Sequence, residues 1–183
     1  MGSVRAGPTG EAQLGSNVSP SDQPFFHPTR IDIPLEIRAY VITLLQQTLA
    51  CTVDLRSQVK QATWNLKGTD IFPLQALFTT IAMELDDYTD LVAARLTALG
   101  GVARGTARMA VAQSTLPEYP EDLVVGTAHV RALAERFALY ATAIRADIVH
   151  AMDVEDTGTA NLYTDISRGI ETRLGELDAY LSQ

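Results

Sequence analysis

Asp86 and Asp90 stand four residues apart in a 183-residue chain, in a stretch that otherwise reads as an apolar-striped helix. A step of four stacks both carboxylates on adjacent turns of one helical face, with Met83 near the same arc. Carboxylates so placed can hold a divalent cation. The competing reading is a pair of solvated surface acids, which also describes Glu84 and Asp87. A second concentration of acid runs from Asp147 through Asp153, Glu155 and Asp156 to Asp165, with no Lys or Arg between. Such a corner either starts a helix or draws cations. The three histidines, His27, His129 and His150, have no His partner one turn away. His150 falls near a helix end, where an imidazolium suits the dipole. The lone cysteine, Cys51, lies close to a buried arc and reads as packing. The single tryptophan, Trp64, sits in a polar gap within "KQATWNLKGTDIFPLQALF".

The elements that position these residues follow from periodicity. Val41, Leu44, Leu45, Thr48, Leu55, Val59 and Ala62 recur at three- and four-residue steps and predict a first helix from about Pro34, with Asp32 as its cap. A second follows Asp70 with Pro73 in its first turn. Its stripe runs Leu74, Leu77, Phe78, Ile81, Leu85, Tyr88, Leu91, Val92 and Leu99, and Gly100 and Gly101 stop it. "LPEYPEDL" opens a third helix bearing Leu123, Thr127, Val130, Leu133, Phe137, Ala141, Ile144 and Ile148. The fourth follows "VEDTGTAN" and carries Leu162, Ile166, Ile170, Leu174, Leu177 and Leu181. No alternating strand pattern appears. The fold class is all-α, a four-helix bundle over residues 31–183 with a long connection between helices two and three. Residues 1–30 are rich in Gly, Ser and Pro and read as a flexible tail, with "FFHPTR" supplying anchors at its end.

The formal net charge is −8, from 14 Lys+Arg against 22 Asp+Glu, and only Lys60 and Lys67 are lysines. An acidic surface repels nucleic acid, and residues 1–33 hold Arg5 and Arg30 against Glu11, Asp22 and Asp32. DNA binding is therefore expected to be weak. No run reaches the roughly 18 apolar residues of a membrane span. One cysteine forms no internal disulfide, which suits a reducing cytoplasm.

The blocks "FFHPTR", "KQATWNLKG", "ALGGVARGTAR", "LPEYPEDL" and "NLYTDISRGIE", in this order and spacing, resemble the Dps family of ferritin-like proteins. The resemblance implies a hollow spherical shell of twelve subunits that oxidises ferrous iron with peroxide or oxygen and stores ferric mineral. It implies an oxidation centre at an interface between two subunits, built from five ligands: a His before Trp-Asn on the first helix, then His, Asp, Asp and Glu along the second. At these positions stand Thr63, Gln75, Thr79, Asp90 and Ala94. One strong donor in five remains, Asp90. The resemblance also places the acidic corner near threefold pores, where Asp153, Glu155 or Asp156 would gather Fe²⁺.

The expected function is an iron-sequestering cage of the cytoplasm that protects against oxidative stress, with its ferroxidase ligands mostly lost. Two alternatives stand beside it. One is an active ferroxidase at a relocated site, such as Asp86 with Asp90. The other is a structural or DNA-associated shell that co-assembles with a competent paralogue.

Overall fold

The computed structural model describes residues 26–69 and 71–182, and among these it contains five helices. They are α1 (Leu35–Asn65), α2 (Ile71–Ala98), α3 (Ala107–Gln113), α4 (Gly126–Asp153) and α5 (Thr157–Leu181). The expected tail over residues 1–30 lies outside the described residues except for 26–30, and so does the expected cap Asp70.

The cross-links between helices give their directions. Arg38 Nη1 donates to the Leu99 carbonyl and Arg56 pairs with Asp86, so α2 runs back along α1. Thr48 meets Asp147 while Thr52 meets Tyr140, so α4 also runs against α1. Hence α2 and α4 point the same way, as the long connection between them permits. Arg95 reaches Thr159 and Arg173 reaches Glu84, which sets α5 against α2.

The predicted stripes supply most of the core. Val41, Leu45, Leu55, Val59, Leu74, Phe78, Ile81, Leu85, Val130, Leu133, Phe137, Ile144, Ile166, Ile170 and Leu177 are all buried. Leu91, expected inside, is exposed, because the arc through Val92 and Leu96 is the one that turns inward. Two tyrosines complete the centre, with polar tips that find partners. The Tyr140 hydroxyl lies 2.6 Å from Thr52 Oγ1, and that of Tyr163 lies 3.1 Å from Thr48 Oγ1.

Three local expectations change. Asp32 does not cap α1; Pro34 occupies the N-cap position and no side chain caps it. The segment "LPEYPEDL" is not helical, and α4 begins only at Gly126. Pro120 biases Tyr119 away from helical dihedrals. The carbonyls of this extended segment are satisfied from outside: Gln58 Nε2 donates to Pro117 O and Arg136 Nη2 to Glu118 O. Leu123 still packs on the core, from the connection rather than from the helix. The short α3 inside the connection was not anticipated, since seven residues carry too little pattern to read.

Gly100 ends α2 with φ +93°, and the amides of Gly100 and Gly101 return to Thr97 O and Leu96 O. A Cβ at Gly100 would lie 2.5 Å from the His27 carbonyl oxygen. The closeness has a purpose: His27 N–H donates to Gly100 O and the Thr29 hydroxyl to Ala98 O, so "FFHPTR" straps the end of α2.

Candidate functional site

Thr63 lies near the end of α1, where its hydroxyl donates to Val59 O at 2.8 Å within its own helix. On α2, Gln75, Thr79, Asp90 and Ala94 are all exposed, and so is Met83. Thr79 repeats the pattern of Thr63, its hydroxyl donating to Gln75 O at 2.7 Å. Each of these hydroxyls gives its proton to backbone, and the neutral oxygen that remains is a weaker ligand than a carboxylate or an imidazole. The α2 positions thus lie on the outside of this chain and Thr63 is partly buried, while Trp64 and Phe72 are 70% and 82% exposed.

Asp86 stands on this outer side of α2 with a partner that sequence reading did not supply. Its Oδ1 lies 2.5 Å from Nε of Arg56 on α1, an ion pair without hydrogen-bond alignment, and the two side chains keep 50% and 41% of their exposure. Arg56 lies two turns before Thr63, a position visible in the sequence. Only the antiparallel pairing of α1 and α2 makes it the neighbour of Asp86. Among the described residues no group of three or more His, Cys, Asp or Glu side chains is placed to hold a metal ion. Beside this pair, a cavity of about 850 Å³ is lined by Arg56, Lys60, Trp64, Val111 and Tyr119 among others.

The acidic corner divides into residues with different work. Asp153 ends α4 and is exposed. Glu155 follows in the left-handed region, φ 60°, where its amide donates to Met152 O while that of Asp156 donates to Ala151 O. This is the hydrogen-bonding of a Schellman cap, in a place where glycine is the usual residue. Asp156 is only 2% exposed. Its Oδ1 accepts from Thr159 N at 3.0 Å and pairs with Arg95 Nη2, and its Oδ2 accepts from the Thr159 hydroxyl at 2.7 Å. Its carboxylate caps α5 and neutralises Arg95. The exposed carboxylates of the corner are therefore Asp153, Glu155 and Asp165, and Glu155 lines a cavity of about 590 Å³ with Met152, Asn161 and Thr164. Asp165 pairs with Arg168 at 3.1 Å.

Asp147 is half-buried, and burial lifts its carboxyl above the ordinary range. The bonds from His150 and Thr48 act in the other direction. His150 is exposed with Nδ1 3.3 Å from Asp147 Oδ1. His129 is buried, and its Nδ1 shares a 2.8 Å hydrogen bond with the Tyr119 hydroxyl. Burial holds its imidazole below 6.5, opposed by backbone groups at Asn65 and Leu123, so it rests neutral. The Tyr119 phenol is pushed up to about 12 by burial, with the Arg136 guanidinium over its ring pulling the other way. Cys51 is buried, with Sγ 3.5 Å from the Thr115 hydroxyl. Among the described residues no helix is long and apolar enough to cross a membrane.

The chain has recognisable relatives. A family model described as a ferritin-like domain matches residues 42–183. The chain is 34% identical over 157 residues to a DNA protection during starvation protein of Agrobacterium fabrum, covering 86% of this chain and 97% of that one. DpsC from Streptomyces coelicolor matches with TM-score 0.82 and 25% identity, over 87% of this chain and 95% of that chain. Dps92 from Deinococcus radiodurans matches with TM-score 0.75 and 28% identity, over 80% of this chain and 88% of that chain.

Proposed function

The chain belongs to the ferritin-like family, in its Dps branch, and from that premise we propose that it builds a hollow cytoplasmic shell of twelve copies. The shell sequesters iron and limits peroxide damage. Iron is the cargo, and the exposed carboxylates of Asp153 and Glu155 draw Fe²⁺ through the corner where α4 turns into α5. Carboxylates attract the ferrous ion and lower the barrier to its entry.

Oxidation at the seam between copies is slow in this reading. The observation that carries it is chemical: Thr63, Gln75, Thr79 and Ala94 stand where the family resemblance expects imidazoles and carboxylates, and both threonine hydroxyls are turned into their own helices. Asp90 alone keeps a strong donor. Mineral then grows on interior carboxylates without a fast oxidation centre.

Anaerobic Fe²⁺ titration followed by peroxide tests this reading. Slow oxidation that Asp90→Ala leaves unchanged supports it. Fast stoichiometric oxidation abolished by Asp90→Ala favours a relocated ferroxidase site instead.

The name of the Agrobacterium relative favours a second reading, a shell that protects DNA by contact. A net charge of −8 and a first 33 residues without lysine speak against direct binding. Retardation of duplex DNA at low micromolar protein and moderate salt would establish the contact reading.

A further inference from the structure

Arg56 stands on the same seam as the substituted ligand positions. Its partner Asp86 lies two turns beyond Thr79 and one turn before Asp90 on α2. The guanidinium therefore meets α2 between the two ends of the expected ligand set. We infer that Arg56 is the built-in cation of this seam: it occupies the charge position that a divalent ion would need and excludes such ions from Asp86 and Asp90. The inference rests on the reading above that this face lies between two copies of the chain.

Several features of the face agree. A guanidinium stays protonated at every pH the protein meets, so the positive charge set against Asp86 is permanent. Asp86 would have to surrender this partner before offering that oxygen to a metal ion. An ion settling at Asp90, one turn away, would carry two charges toward the guanidinium. Screening by water keeps the pair weak while the face is open, at 41% and 50% exposure. Covering the face with a second copy removes that water. The pair then becomes costly to break, because the survivor is a lone buried charge. The rest of the face supplies only weak replacements, since Met83 and Ala94 carry no hard donor and Thr63, Gln75 and Thr79 offer neutral oxygens. In this arrangement Asp86 has a permanent counter-charge and requires no metal.

The test compares the full chain with Arg56→Met, Arg56→Gln and Arg56→Lys, each with and without Asp90→Asn. Thermal midpoints are measured in EDTA and in excess Co²⁺, and light scattering gives the number of copies. Removing the cation should lower the EDTA midpoint by about 2–4 °C, the shift of a loss near 1 kcal/mol in a chain this long. Co²⁺ should return that loss in Arg56→Met and Arg56→Gln, and Asp90→Asn should remove the return. Arg56→Lys should respond to Co²⁺ as the parent does. The inference is overturned if the parent itself shows a Co²⁺ shift that Asp90→Asn abolishes, or if neither neutral variant responds more than the parent. Single chains in light scattering would defeat the cage reading alone, because the Co²⁺ comparison on the same samples still decides the role of Arg56.

Discussion

The Arg95 guanidinium of α2 is held by Asp156, and Asp156 is also the residue that caps α5. One buried carboxylate thus fixes the start of a helix and the register between two helices that are 61 residues apart at this contact. Asp153, three residues earlier, has no such burial.

Asp156→Ala should therefore cost far more than Asp153→Ala. It removes a cap, worth about 0.5–2 kcal/mol, and leaves a largely buried Arg95 without its anion. The expected loss is about 3 kcal/mol or more, against about 0.5 kcal/mol or less for Asp153→Ala. Urea unfolding of the two variants gives the comparison.

Glu155→Gly should stabilise the chain. A side chain in the left-handed region costs about 1 kcal/mol, and glycine relieves most of it at a helix end. A gain of about 0.5–1 kcal/mol in urea unfolding is expected. If Glu155 also draws iron, the same variant takes up Fe²⁺ more slowly, so stability and uptake should move in opposite directions.

Thr52→Val should expose the cost of an unsatisfied tyrosine. The change keeps the shape of the side chain but leaves the hydroxyl of the buried Tyr140 without its 2.6 Å partner. The loss should be about 1–3 kcal/mol by urea unfolding, and Thr52→Ser should recover most of it.

Acid should weaken the fold through His129. Its folded pKa lies below 6.5, because burial disfavours the charged ring. The unfolded chain therefore takes up the proton first as pH falls through 6.5. Stability is lost from there downward until the folded pKa is reached. His129→Gln should flatten the dependence of the urea midpoint between pH 7 and pH 5, whatever its effect on stability at pH 7.

If the proposed loss of ligands is what slows oxidation, putting imidazoles and carboxylates at those positions should speed it. Thr63→His, Gln75→His, Thr79→Asp and Ala94→Glu together rebuild the donor set beside Asp90. The initial rate of peroxide-driven Fe²⁺ oxidation should rise by about tenfold or more, the equivalent of about 1.4 kcal/mol of barrier. No change in rate would mean that more than the donor atoms has been altered at the seam.

The helices were legible because their signals are local. A step of three or four residues repeats over many turns in α1, α2, α4 and α5, and two glycines close α2. The start of α4 was misplaced because "LPEYPEDL" carries apolar and acidic residues that mimic a helix entry. Its prolines and the distant donors Gln58 and Arg136 hold it extended instead. The spacing of Thr63, Gln75, Thr79, Asp90 and Ala94 is a property of the chain and is read from it directly.

By itself, the sequence determined an all-helical bundle and its apolar faces. Tertiary structure alone decided what the charges do. Arg56 meets Asp86 and Arg95 meets Asp156 only because antiparallel packing brings together residues 30 and 61 positions apart. The reason is physical: hydrophobic periodicity encodes which side of a helix turns inward, whereas the partner of a charge depends on how deeply and in what register two helices lie against each other.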